Sequence, residues 1–235
     1  MACDVWQSGL TYTLTSSTLN HALMPTRGSA FRLSTEVAGV LPPVGNVRFC
    51  KQSMHAAAVL PVLPQGALSL SLQLTAGLLV PLGGGTAKAE SAICDRFFLG
   101  GPGSFWGFRT RGVGPREVRH TATGEMGSGP PPRDTLGGDV LATATAALSA
   151  ALPGKLHEVG MRAHVFASAG GLQSLSGYNS EGSFGPSVRA CAGVGVAMPT
   201  AVGRVELNLT HVLRRRSEDA VVRNGLQIGI TPGLV

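Results

Sequence analysis

The chain has 235 residues, of which only 14% are charged, against roughly 25% in ordinary soluble domains. Its formal net charge is +6 and its mean hydropathy is +0.21, yet no stretch offers the roughly 20 consecutive apolar residues of a transmembrane helix. Composition therefore disfavours both an ordinary soluble domain and a helical membrane protein. The four scattered cysteines form no CxxC pair, and the sequence indicates no metal site and no cofactor.

Period-two alternation of apolar and polar residues is the dominant local pattern, and it predicts about nine strands. In 67–75, for example, leucines hold the even positions, and Ser69, Ser71, Gln73 and Thr75 hold odd ones. Successive side chains of a strand point to opposite faces, so such a segment has one apolar and one polar face. In chain order the predicted strands are 8–19, 28–38, 46–60, 66–80, 136–152, 156–170, 186–198, 202–213 and 221–231.

Two of these segments are ambiguous. The segment 46–60 alternates poorly, and the alanine-rich segment 136–152 has the intrinsic propensity of a helix. In the second, Thr143, Thr145 and Ser149 alternate with small apolar residues, and this alternation favours a strand.

The length of the strands separates a membrane barrel from a soluble sandwich, which would alternate in the same way. The predicted strands are longer than the usual ~5–6 residues of globular sheets and suit a tilted membrane strand. Short turns such as 153–155 and 199–203 alternate with long links, as in outer-membrane barrels. The sequence therefore predicts an all-β, antiparallel transmembrane barrel domain over 1–235.

One segment, 81–135, interrupts this rhythm with a long connection rich in Gly, Pro and Arg. Loops of this length in compact domains are uncommon and are usually functional or disordered. Its centre, Asp95–Pro102, is apolar and aromatic, unlike a plain linker, so we expect it to fold against the rest of the chain.

The centre of this loop is similar to a known family. Asp95–Pro102, then Gly103–Phe108 and Gly112–Pro115, resemble the long lumenal loop of the outer-membrane-protein-85 superfamily, in particular its branch in the mitochondrial sorting and assembly machinery. Leu23–Gly28 resembles the segment that leads into a strand in the same family, and Leu136–Asp139 resembles the family's segment after the loop. The motif residues that the resemblance marks in the loop are Asp95, Arg96, Phe97, Phe98, Leu99, Gly100, Gly101, Pro102, Trp106, Gly107 and Phe108.

The resemblance implies a sixteen-stranded barrel whose C-terminal part, about nine strands with the lumenal loop, is present here. It places the first seven strands and the N-terminal POTRA domain outside this chain. It also implies that the last strand closes the barrel and carries a targeting pattern: a polar residue, a glycine and two hydrophobic residues. The residues that match this pattern are Arg223, Gly225, Ile228 and Ile230.

The sequence departs from the family at one site. In relatives the loop reads Arg-Gly-Phe or Arg-Gly-Tyr, and the arginine reaches an acidic or amide residue on the inner wall. Here Trp106 takes the arginine position, and the wall partner falls near Ser168. A charge-assisted contact cannot form there; Arg109 or Arg111 paired with Asp139 or Glu158 is an alternative.

By this resemblance the chain is part of an insertase that folds and inserts β-barrel precursors into the mitochondrial outer membrane, without enzyme activity. The partners implied are membrane lipid, barrel precursors, and other subunits or the missing N-terminal strands, with no nucleic acid. Three alternatives stay open: a divergent half-barrel acting as a structural subunit or scaffold, a passive pore, and a plastid outer envelope as the location.

Overall fold

Nine long strands form one antiparallel sheet in the computed structural model, which describes residues 8–39, 48–82, 91–118, 133–176 and 183–231. The strands of the sheet are β1 (Gly9–Ser17), β2 (Gly28–Ala38), β3 (Phe49–Pro61), β4 (Leu68–Pro81), β7 (Val140–Ala151), β8 (Arg162–Gln173), β9 (Val188–Thr200), β10 (Gly203–Arg214) and β11 (Leu226–Thr231). Between β4 and β7, the strands β5 (Arg116–Val118) and β6 (Arg133–Thr135) form a separate ribbon. The order across the sheet is β1-β2-β3-β4-β7-β8-β9-β10-β11.

Alternation along these strands gives the sheet two unlike faces. On the outer face, Leu72 and Leu209 are 45% and 54% exposed, whereas Ser69 and Asn208 on the inner face are 2% and 0% exposed. Apolar residues that face outward and polar residues that face inward are what lipid on one side and a lumen on the other require. The predicted all-β antiparallel fold of nine strands is confirmed, and both ambiguous segments are strands, as β3 and β7.

No helix in the described ranges is long and apolar enough to cross a membrane.

The strand predicted at 156–170 begins later and ends later than expected, as β8. Residues Lys155–Glu158 form a single helical turn, α1, after the Pro153-Gly154 turn. The amide of His157 donates to Gly154, and the amide of Met161 donates to Leu156. These local hydrogen bonds close a compact turn, so the alternation of residues 158–161 did not mark a strand.

The last strand is also shorter than predicted. Val221 forms an isolated bridge with Phe108, and β11 starts only at Leu226. Between them Gly225 has a φ of 67°, a left-handed conformation that an extended strand does not contain. The amide of Thr210 on β10 still donates to the Gly225 carbonyl at 2.8 Å, which fixes the chain as it enters β11.

The long connection predicted at 81–135 joins β4 to β7, and its residues 83–90 and 119–132 lie outside the described ranges. Strand order and direction place this connection and the β10–β11 connection, 215–225, at the same end of the sheet. Two segments that enter the fold from one end can therefore meet over the inner face.

Candidate functional site: the lumenal loop and the last strand

Residues 95–115, here called the lumenal loop, fold back over the inner face of the sheet. Near its start Phe97 exchanges two backbone hydrogen bonds of 2.9 Å with Gly138. Further along, Leu99 accepts from the amide of Val113 at 3.0 Å, and Gly101 pairs with Phe105 at the tip. The loop is thus a narrow, internally bonded hairpin rather than a loose linker.

An apolar cluster fastens this hairpin to the wall. Phe105, Phe108 and Val113 of the loop are 1%, 0% and 0% exposed. The cluster is formed by Leu99, Phe105, Trp106, Phe108 and Val113 from the loop with Leu141, Phe166, Leu172 and Cys191 from β7, β8 and β9. Full burial of one large apolar side chain contributes roughly 1.5–3 kcal/mol, so the cluster alone can hold the loop.

Phe97 anchors the start of the loop in a second apolar cluster, with Ala38, Phe49 and Leu79. The Lys51 ammonium lies 4.8 Å from the centre of the Phe97 ring and donates to the Asp95 carbonyl at 2.7 Å. Strands β2, β3 and β4 therefore hold the loop at its base.

The charged contact at the base of the loop involves Arg96, and neither Arg109 nor Arg111 makes it. Arg96 Nε lies 3.7 Å from Asp139 Oδ1, and Ser91 bridges the two by accepting from Arg96 Nε at 2.7 Å and donating to Asp139. Arg111 instead stacks over the Phe98 ring, with its guanidinium carbon 4.5 Å from the centroid. Glu158 lies exposed in α1. The alternative pairing inferred from sequence was therefore wrong.

Trp106 is 9% exposed and belongs to the first apolar cluster. The wall residue expected opposite the family's arginine, Ser168, is 4% exposed and hydrogen-bonds Thr145 across the β7–β8 pair at 2.9 Å. Trp106 and Ser168 are both neutral and buried, so no charge is left without a partner here.

The last strand contacts the loop through a residue that sequence reasoning did not single out. Gln227 on the inner face of β11 accepts from the Gly107 amide at 2.6 Å and donates to the Phe108 carbonyl at 3.0 Å. Ile228 and Ile230 of the predicted pattern face outward at 67% and 60% exposure. Arg223 and Gly225 lie in the turn before β11.

A buried ion pair, also not predicted, fixes the β10–β11 connection against the wall. Arg189 of β9 donates through Nε and Nη2 to Asp219 at 3.0 and 2.9 Å, and both side chains are at most 2% exposed. The next residue, Ala220, accepts from the Arg109 amide at 2.8 Å and donates to Gly112 at 2.9 Å. The lumenal loop is thereby paired with 220–222 as well as with β11.

A cavity of about 110 Å³ remains between the loop tip and the wall. Its charged lining residues are Arg162, Arg204 and Glu206, and Trp106 and Phe166 contribute aromatic surface. Arg204 Nε donates to Glu206 at 2.6 Å, and Arg162 donates to the Gly66 and Ser149 carbonyls. The inner face near the loop is thus polar but largely internally bonded.

An antiparallel sheet with an apolar outer face, a polar inner face and an infolded loop defines a transmembrane β-barrel protein of the outer-membrane type. The sequence profile of the Omp85 superfamily domain matches residues 2–231. The chain belongs to the Omp85 superfamily.

Known relatives match nearly the whole chain. A SAM50-like protein of Schizosaccharomyces pombe is 31% identical over 231 residues, 97% of this chain and 45% of the relative. The sorting and assembly machinery component 50 homolog of Mus musculus is 28% identical over 234 residues, 95% of this chain and 45% of the relative. The sorting assembly machinery 50 kDa subunit of Saccharomyces cerevisiae is 25% identical over 97% of this chain and 43% of its own length. The chain spans about half the length of these relatives.

A solved structure shows the same fold. The crystal structure of BamA from Haemophilus ducreyi lacking POTRA domains 1-3 matches with a TM-score of 0.74 at 19% identity. The match covers 94% of this chain and 41% of that chain.

Proposed function

We propose that this chain is part of an insertase that folds and inserts β-barrel precursors into the mitochondrial outer membrane. The names of its relatives place them in a sorting and assembly machinery, which supports a role in a complex with other subunits. The work is physical rather than covalent, and no enzyme activity is part of the proposal.

The observation that carries the proposal is the open edge of β11. Among the described residues, β11 is bonded only to β10, just as β1 at the other end of the sheet is bonded only to β2. An unpaired strand edge presents a row of amide and carbonyl groups, which is a template for adding a strand. In this proposal the final strand of an incoming precursor pairs with this free edge, which is here called the seam, so that β11 is the seam strand.

The lumenal loop supports the same proposal because it contacts the seam strand from inside. In the sixteen-stranded barrel implied by the family, a loop that bonds Gln227 lies within reach of any strand entering beside β11. The loop motif from Asp95 to Phe108 then serves to support the last strand during exchange.

The test is assembly of a reporter barrel in mitochondria from yeast depleted of their own 50 kDa sorting and assembly machinery subunit and supplied with a hybrid, in which this chain replaces the part of that subunit that it matches. We expect the hybrid to support assembly, and the hybrid lacking 95–115 to support none. Phe105→Ala should reduce assembly because Phe105 is 1% exposed in the cluster. Ser104→Ala, at the exposed neighbouring position, is the matched control.

A second candidate, a structural subunit without insertase activity, is favoured by one feature of the sequence: Trp106 stands at the position where the family resemblance implies an arginine. Trp106→Arg separates the two. In an insertase the new guanidinium lies in the cavity that Glu206 lines, and assembly is retained. Support of assembly by the hybrid with the parent sequence or with this variant excludes the scaffold; no support from either hybrid excludes the insertase.

A further inference from the structure

The Gln227 side chain pairs with the lumenal loop as a backbone would. Its planar carboxamide carries a carbonyl oxygen that accepts and an NH2 group that donates, much as a peptide group carries a C=O and an N–H. It uses the acceptor for the Gly107 amide at 2.6 Å and the donor for the Phe108 carbonyl at 3.0 Å. Gln227 is 8% exposed, so water does not compete freely for either group.

The contact extends along all inner-facing positions of β11. At Gly229, a Cβ would overlap Pro102 and lie 2.9 Å from Cη2 of Trp106, so only glycine allows this approach. A Cβ on Gly103 of the loop would lie 3.0 Å from the methyl group of Thr231, so these two residues are also closely packed. The loop is therefore seated on the strand itself, with Gln227 supplying the side-chain hydrogen bonds.

The segment before β11 adds to the same attachment. Val222 donates its amide to the Gly107 carbonyl at 3.1 Å, so the peptide groups of Gly107 are bonded both to 220–222 and to Gln227. Within the sheet β11 is bonded to β10 alone among the described strands. If β11 moves away from the lumenal loop, the bonds from Gln227 to Gly107 and Phe108 must therefore break.

We propose that Gln227 is a positioning residue that couples the seating of the lumenal loop to the position of the last strand. When the carboxamide bonds are made, Gly107 and Phe108 of the loop are fixed against β11; when β11 moves, these two residues lose their bonds to the strand. The biological use of this coupling, in strand exchange at the seam, rests on the proposed function. The coupling itself does not.

Amide hydrogen exchange of the full chain in nanodiscs, read by mass spectrometry, tests the coupling. Gln227→Met keeps the length of the side chain and removes both hydrogen bonds. We expect exchange to rise about tenfold in peptides covering 105–109, the size set by two net hydrogen bonds, with no change in β3 and β4. Gln227→Glu should also raise it, because a carboxylate still accepts from Gly107 but leaves the Phe108 carbonyl without its donor.

The control is Gln73→Met, the same change at another inner-face position of the cavity beneath the loop, on β4, a strand that is not bonded to β11 in the sheet. It should leave exchange in 105–109 unchanged. A reciprocal arm uses Trp106→Ala, which should raise exchange in 226–231, because coupling acts equally in both directions. Exchange that rises uniformly through the sheet, or not at all in 105–109, overturns the proposal.

Reporter assembly measured on hybrids with the same variants keeps the two proposals distinguishable. Coupled exchange without any assembly by the hybrid with the parent sequence would contradict the insertase and leave the role of Gln227 standing. Assembly by that hybrid that Gln227→Met leaves intact, with unchanged exchange, would contradict the role of Gln227 and leave the insertase standing.

Discussion

The buried pair Arg189–Asp219 allows a sharp test of what holds the β10–β11 connection in place. Asp219 accepts both guanidinium bonds and also the Arg216 amide at 2.7 Å, so its carboxylate is the centre of the arrangement. Asp219→Ala leaves the Arg189 guanidinium without its carboxylate at a site where both side chains are at most 2% exposed. Loss of one member of a buried pair typically costs about 3–5 kcal/mol, which is the expected fall in the free energy of unfolding.

Replacement of both charges separates the pair from the packing around it. Arg189→Met with Asp219→Leu removes both ions, and apolar replacement of a buried pair is often neutral or stabilising. The double variant should therefore be more stable than Asp219→Ala alone. Urea unfolding in detergent micelles, followed by the fluorescence of buried Trp106, measures the free energy of unfolding of the parent chain, of Asp219→Ala and of the double variant.

The single variant should also loosen the connection locally. Asp219 precedes the Ala220–Val222 backbone bonds to the lumenal loop, so its loss frees 215–222 from the wall. Trypsin should then cleave faster at the exposed run Arg214–Arg216. A cost below about 1 kcal/mol for Asp219→Ala, or a double variant as unstable as the single one, would refute the reasoning.

Three further outcomes are expected from the two faces of the sheet and the seat of the loop. Leu72→Arg on the outer face should cost about 2–4 kcal/mol in refolding into vesicles if it lies at the bilayer midplane, and an unchanged stability would contradict a lipid-facing position. Cysteines at Ser71 and Gln73 should react with a water-soluble maleimide in vesicles, and those at Leu70 and Leu72 should not; equal labelling would contradict the barrel. Gly77→Val should cost about 1–3 kcal/mol in thermal unfolding, because a Cβ there lies 2.6 Å from the Phe97 ring.

Alternation predicted most of the sheet because each strand meets lipid on one face. The strand predicted at 28–38 is β2, Gly28–Ala38, and the alanine-rich segment is β7 despite its helical propensity. Pairing with β4 and β8 on both sides decided that segment, since tertiary context overrides a weak intrinsic preference. The errors at the starts of β8 and β11 fall where a turn happens to continue the alternation.

The contacts that hold the loop could not be predicted in the same way. Gln227 bonds the backbone of Gly107 and Phe108, which lie 120 and 119 positions earlier in the chain, and such a contact leaves no local pattern. One signal was present: Gln227 is a long polar residue on an inner-facing row that otherwise holds Gly229 and Thr231. Arg189 and Asp219 gave no comparable signal, because they lie on separate elements 30 positions apart.

There is a physical reason why Trp106, at the family's arginine position, and Ser168, at the expected wall position, are both neutral. Had only the arginine been lost, an acidic wall residue would remain buried without its partner, at a cost of several kcal/mol. Here both members are neutral, Trp106 in the loop and Ser168 on the wall, and the wall serine is bonded to Thr145. Replacement of both charged members is the change that a buried pair tolerates. Apolar burial of the loop, its backbone pairing with 220–222 and the carboxamide of Gln227 then hold it in place, so attachment of the loop does not depend on the missing arginine.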